Sequence, residues 1–232
     1  MTCQDDQLCA GLEAGINGAV QGIQDIWGKN STTEDWGFLL VGTKNVSDDI
    51  NRFIMLWMFR QSWPSGAWFV FIFYCHWSLL VLWNSNGTAS FLHSKEGATQ
   101  GDTLAMIAYG IGILPLINNL NPEIPDVTQP WCADDARALS TFSRIETYID
   151  VLRCQGPRCR YYTKPSKNVL IVHTKDIMAG KKFWVRHGFK MCKGAHYFGG
   201  YIGDDKYTSS WLREHTLMWE KFFSVISETM GK

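Results

Sequence analysis

The chain has 232 residues, 46% of them hydrophobic and 14% aromatic, enough for one large domain or two small ones with a real core. Eleven Trp and thirteen Phe have to be buried somewhere, which excludes a disordered chain. The formal net charge is zero, which on its face argues against a nucleic-acid binder, yet the charge is unevenly placed. Residues 153–193 hold eleven Lys/Arg and a single acid, Asp176, leaving 11 basic against 21 acidic residues in the rest. This segment of net +10 also carries Tyr161, Tyr162, Phe183, Trp184 and Phe189. Cations interleaved with aromatics suit a phosphate backbone with bases or sugars beside it; the plainer reading is a solvated face.

The seven cysteines (3, 9, 75, 132, 154, 159 and 192) are odd in number. The opening "MTCQDDQLCAGLEAG" is acidic and lacks the apolar core of a signal peptide. Together these predict a reduced, intracellular protein of the nucleus or cytoplasm.

In chain order, residues 9–27 place Leu12, Ile16, Val20, Ile23 and Ile26 at helical spacing. Residues 38–41 form a short apolar run and predict a buried strand. Residues 48–63 predict a helix capped by acids and stopped at Pro64. No charged residue occurs from 61 to 94, and within that stretch "AWFVFIFYCHWSLLVLW" (67–83) raises the question of a membrane span. A span needs about 20 mostly apolar residues, so a helix followed by a core strand explains 67–83 equally well. Residues 93–120 read as a Gly-rich loop running into an apolar helix. Residues 127–133 and 136–139 read as two strands joined by a tight turn at Asp134-Asp135. The next helix offers Ser143 and Glu146 as a capping box and ends at Gly156-Pro157. A strand at 167–173, a hairpin in "GFKMCKGAHYFGGYIGDD" and a C-terminal helix complete the chain. Hairpins mixed with helices predict an α+β fold, with helices on one face of an antiparallel sheet.

Two carboxylates on a sharp turn are suited to holding a divalent cation, although Asp favours turns for purely local reasons. Here the context is specific. "SKEGATQGDTLA" followed about thirty residues later by "QPWCADDARAL" resembles motifs B and C of reverse transcriptases. "QLCAGLEAGINGAV" is similar to the segment before the palm, "PSKNVLIV" to motif D and "HYFGGYIGD" to motif E. The resemblance covers nearly the whole chain and is to enzymes of non-LTR retroelements. It implies a polymerase palm over 38–205 (motifs A to E), a fingers remnant over 1–37, and a C-terminal helix over 206–232 leading towards an absent thumb. Asp134 and Asp135 would be the motif C metal carboxylates, binding Mg²⁺ or Mn²⁺. Gln100, Gly101 and Asp102 would lie against the incoming nucleotide and template. Lys167 would be the motif D lysine near the triphosphate, and Phe198 and Gly199 would belong to the primer grip. The partners implied are an RNA or DNA template with its primer and deoxynucleoside triphosphates.

The pattern breaks at motif A. Gly42 stands where the family carries its third metal-binding Asp, and Ser47 where an aromatic is usual. Asp48 and Asp49 lie six and seven residues on, about 20 Å away in extended chain or about 9 Å in a helix, too far to fill the same position. Cys132 replaces the aromatic before Ala-Asp-Asp, and Thr103 replaces a proline. The expectation is therefore a degenerate, catalytically impaired palm. Two alternatives compete. One is a nucleic-acid- or zinc-binding module using Cys154, Cys159, His187, Cys192 and His196, whose spacing lacks a C-x2-C pair. The other is a single-pass membrane protein using 67–83.

Overall fold

The computed structural model describes residues 15–44, 49–98 and 102–230. At its centre is a four-stranded sheet of β1 (Trp36–Leu40), β4 (Arg137–Thr141), β5 (Val169–Val172) and β6 (Lys190–Cys192), in the order β4-β1-β5-β6. Strand β1 is antiparallel to both neighbours, with Leu40 opposite Arg137 on one side and Val169 on the other. The fold is the expected α+β, but the helix Gly15–Lys29 packs on the sheet face opposite the other core helices, and β6 runs parallel to β5. A parallel neighbour needs a crossover, and helix α7 (Ile177–His187) supplies it.

Side chains alternate across the sheet and divide the core in two. Leu39, Ala138, Leu170 and Val172 enter the larger cluster with α2 (Arg52–Ser62), α4 (Ala105–Gly112), α5 (Leu114–Glu123) and α6 (Phe142–Gln155). Phe38, Leu139 and Ile171 face the other way. They meet Ile23 and Trp27 of α1 (Gly15–Lys29) and Tyr197 and Ile202 of the hairpin β7 (Gly194–Tyr197) and β8 (Gly200–Gly203).

Several local expectations shift. The cap of α2 is Asn51, whose side chain accepts from the Ile54 amide; no acid caps it, and residues 45–48 lie outside the described set. The anticipated capping box on α6 is absent: Thr141 is the N-cap, and Glu146 is turned to Arg186 and His187. Residues 127–133 make only isolated bridges, Thr128 to Leu139 and Cys132 to Asp135, because Pro130 interrupts the ladder.

The charge-free stretch splits into α3 (Pro64–Tyr74) and β2 (Ser78–Trp83), which pairs only with β3 (Ala89–Ser94). No helix among the described residues is long and apolar enough to cross a membrane, so the single-pass reading of 67–83 falls. The core-strand reading is corrected too: every residue of β2 is exposed, Leu79 to Trp83 included. The arm is fastened at its base by Arg52, only 6% exposed, whose guanidinium donates to the carbonyls of His76, Ser94, Glu96 and Gly97 and to Ser94 Oγ.

Candidate active site

The site lies at one end of the sheet, where β1 leaves and β4 and β5 enter. The Val41 amide donates to the Ala136 carbonyl at 3.1 Å, so the β1–β4 register continues past Leu40. Carried one residue further, it sets Gly42 opposite Asp135; on the other side the β1–β5 register sets it opposite Lys167. Residues 125 positions apart in the chain are thus neighbours on one sheet edge.

Asp134 and Asp135 sit on a tight turn closed by reciprocal bonds: Cys132 N–H to Asp135 O at 3.1 Å and Asp135 N–H to Cys132 O at 2.9 Å. Ala133 takes a left-handed φ of 49°, a conformation that costs a non-glycine residue about 1–2 kcal/mol. Strain of this kind persists only where surrounding contacts hold it. Here the buried Tyr161 hydroxyl donates to the Asp134 carbonyl at 3.0 Å. Burial, then the adjacent charge of Asp135, pushes the Asp134 carboxyl above its ordinary value, against the pull of Arg137 and Lys167. The same group acts back on Tyr109, whose buried hydroxyl has no hydrogen-bond partner among the described residues. Its phenol is driven well above its usual range by burial and then by Asp134.

Asp135 has a fixed counter-ion. Arg137 Nη2 lies 3.0 Å from Asp135 Oδ2, and the arginine is 7% exposed. Its guanidinium also lies 5.4 Å from the Tyr197 ring centre and 5.3 Å from that of Phe198. Arg137 therefore ties the aspartate turn to the tip of the β7–β8 hairpin. At that tip Phe198 (φ 46°) and Gly199 (φ 82°) make a two-residue turn of the primed class. Sequence reasoning missed Arg137, although its signal was present: two residues after Asp135 on a strand means the same face.

The other anticipated site residues are placed as follows. Lys167 ends a short 3-10 turn (Pro165–Lys167), and its Nζ donates to the Thr43 carbonyl at 3.1 Å. Asp102 is occupied locally: it accepts from the Tyr74 hydroxyl and from the Leu104 amide at 2.9 Å. Gln100 and Gly101 lie outside the described residues.

Position 42 is closed. The Gly42 amide donates to Asn168 Oδ1 at 2.8 Å, and its carbonyl accepts from the Lys164 amide at 2.8 Å. A Cβ added at Gly42 would lie 2.2 Å from Lys167 Cβ and 2.9 Å from the Lys167 carbonyl carbon and oxygen. The space a side chain at 42 would need is filled by Lys167 and its backbone.

These residues do not fit a two-ion catalytic centre. Such a centre needs carboxylates bridging two cations, and here one carboxylate is neutralised by Arg137 while the position of a third is occupied. No group of three or more His, Cys, Asp or Glu able to hold a metal occurs among the described residues. The zinc alternative fails on the same ground. Cys154 is exposed at the end of α6 and Cys159 is buried. His187 packs between Phe183 and Phe189, and His196 accepts from the Trp211 indole. Cys75, Cys154, Cys159 and Cys192 are free thiols, and Cys132 is disulfide-bonded, which departs from the expectation of reduced cysteines.

The raised Asp134 carboxyl predicts a pH-dependent gain. Below its unfolded value near 3.8 the group is protonated in both states and contributes nothing. As pH rises through the higher folded value, ionisation costs more in the fold than in the unfolded chain, and stability is lost. Asp134→Asn should therefore raise the melting temperature at pH 7 by a few degrees, about 1 kcal/mol, and leave it unchanged at pH 3. Thermal denaturation at the two pH values checks this; a destabilised Asn variant at pH 7 contradicts it.

No protein-family model and no curated protein matches the chain. Among solved structures, its fold is similar to telomerase from Candida albicans in complex with a TWJ fragment of telomeric RNA. That match has a TM-score of 0.61 and 9% identity, over 85% of this chain and 34% of that one. It is also similar to apo telomerase from Candida tropicalis truncated from its C-terminal domain (TM-score 0.57, 12% identity, 85% of this chain and 39% of that one). A second apo telomerase from Candida tropicalis gives a TM-score of 0.56 at 11% identity, over 85% and 36%. The chain thus spans between about a third and two fifths of the length of these proteins. At such identities the likeness is one of fold alone.

Proposed function

We propose that this chain is a reverse-transcriptase-type palm, of the non-LTR retroelement kind its motifs resemble, that binds a primed template and does not extend it. The observation that carries this reading is the sheet-edge register. It brings Gly42, Asp135 and Lys167 side by side beneath the Asp134-Asp135 turn, the arrangement that motifs A, C and D imply. The filled space at Gly42 speaks for binding without transfer.

The charge supports a nucleic-acid partner. Arg158, Lys164 and Lys167 are exposed towards the site end; Lys181 and Lys182 on α7 and Lys190 on β6 are exposed along the sheet's edge. None of these six has an ion-pair partner among the described residues; apart from Lys167, whose Nζ donates to the Thr43 carbonyl, their charges are open to a phosphate. Exchange of condensed counterions for protein cations makes such binding steeply salt-dependent. The Arg137 link to the Tyr197–Phe198 tip supports the assignment of that hairpin to the primer strand.

The test is fluorescence anisotropy with a labelled RNA–DNA heteroduplex, run beside primer extension. Binding is expected in the micromolar range at about 50 mM salt, weakening steeply as salt rises. Charge reversal at Lys164 and Lys167 together should reduce the slope of log affinity against log salt by about two. Primer extension should be absent in Mg²⁺ and in Mn²⁺. A salt-independent affinity, or one indifferent to the double reversal, would sink the binding surface. Measurable extension would sink the non-catalytic reading.

A further inference from the structure

Helix α8 (Asp205–Met230) begins as part of the body and ends outside it. In its first half Trp211 stacks on Tyr201 and lies edge-on to His196, with His215 beside them. From residue 216 on, every described side chain up to Thr229 is exposed. This second half is strongly amphipathic. Met218, Phe222 and Val225 follow the 4–3 spacing of a coiled-coil seam, and Trp219 and Ile226 border the seam on one side. Trp219 is 57% exposed, Phe222 62% and Val225 60%, so no described residue covers the stripe. The other border carries Glu214, Lys221 and Glu228, seven residues apart and of alternating sign.

The charge order selects a partner and a direction. In a parallel pair the charged border of one helix would meet the Trp219–Ile226 border of the other and leave its charges unmatched. In an antiparallel pair each border meets its own kind. Set antiparallel about a dyad near Phe223–Ser224, a second copy offers Glu228 to Lys221 and Lys221 to Glu228. Phe222 then faces the partner's Val225, and Ile226 meets the partner's Trp219. The other matching register, which would join Glu214 to Lys221, is blocked because it needs the face that Trp211 and His215 use against the β7–β8 hairpin. The β2–β3 arm exposes more apolar surface, but it carries no charge that specifies what covers it.

We infer that the projecting half of α8 is a homodimerisation element, pairing antiparallel with a second copy of this chain through Met218, Phe222, Val225 and Ile226, with register set by two Lys221–Glu228 pairs. The overlap is about 21 Å of helix and about 1,000 Å² in total, near the lower limit of a specific interface. The inference stands independently of any polymerase role.

Sedimentation equilibrium on the full chain tests it. Between about 10 and 100 µM, the range suited to an interface of this size, the mass should rise from 26.4 kDa towards about twice that value. Lys221→Glu makes the border uniformly acidic, and Glu228→Lys sets Lys opposite Lys. Both positions are exposed, so folding, checked by circular dichroism, should be unaffected. Each variant alone should weaken self-association at least tenfold. An equimolar mixture of the two should restore it to within about threefold of the unaltered chain, since the mixed pair recovers both ion pairs. A chain that stays monomeric throughout overturns the inference. So does association that neither variant weakens, which would place the interface elsewhere, or single variants whose mixture fails to recover.

Discussion

Gly42→Asp, the substitution that would supply the third carboxylate of the proposed palm, is expected to lower stability by about 3 kcal/mol and to give no primer extension. Two costs combine. The first is steric: the new Cβ would fall 2.2 Å from Lys167 Cβ and 2.9 Å from the Lys167 backbone. Only movement of the 3-10 turn (Pro165–Lys167) can relieve this, and overpacking of that kind costs about 1–3 kcal/mol. The second is electrostatic: a third carboxylate would join Asp134, which already resists ionisation through burial and its neighbour's charge. Gly42→Ala separates the two, since it carries the steric cost alone and should account for about two thirds of the loss. At this chain length the Asp variant should melt about 6–12 °C lower, by calorimetry or circular dichroism. An Asp variant as stable as the parent, further stabilised by millimolar Mg²⁺, would show that the site can reopen and would refute the non-catalytic reading.

Arg52→Met should cost more, about 3–5 kcal/mol. The arginine is buried, yet its charge is distributed over six hydrogen bonds to two separate segments, His76 and residues 94–97. Nη1 reaches the His76 and Ser94 carbonyls at 3.2 Å each, and Nη2 reaches the Glu96 carbonyl at 2.9 Å. Methionine keeps the apolar stem and removes every donor, leaving partly buried carbonyls with nothing to bond. Burial lowers the Arg52 pKa, with Glu96 opposing the shift. Lysine at 52 should recover only part of the loss, because an ammonium has three donors and no planar fork. The damage should appear first in the arm, which has no sheet neighbour beyond its own hairpin. Limited proteolysis of Arg52→Met should cut between residues 76 and 98 before the central sheet yields. Simultaneous loss of arm and sheet would show that Arg52 belongs to the global core. Since Tyr74 lies beneath the guanidinium and donates to Asp102, the loop before α4 should loosen with the arm.

The charge-free stretch shows where local pattern stops being informative. Its length and apolarity are equally compatible with a span, a core strand or an unpartnered arm, because each places apolar residues in succession. What separates them is whether another surface faces the segment. The arm's burial is decided by the absence of a facing surface, a property no local window contains. The same holds for Asp102, whose role depends on Tyr74, twenty-eight residues away.

The sequence by itself determined the elements that follow backbone periodicity and turn chemistry. These are the short strand just before Gly42, the carboxylate turn at Asp134-Asp135, the strand after Lys167 and the C-terminal helix. It also showed that position 42, where the resemblance expects a carboxylate, carries no side-chain ligand atom. Arg137 belonged to the same legible class and was overlooked. The tertiary structure alone decided that Lys167 fills the space above Gly42, that Arg52 holds the arm's base, and that β6 runs parallel to β5. Each of these joins groups remote in the chain: Gly42 and Asn168 are 126 residues apart, Arg52 and Gly97 are 45. Sequence pattern encodes which face a side chain takes on its own element. Which distant backbone comes to lie against that face is set by how the whole core packs, and here that packing turns a missing carboxylate into a closed site.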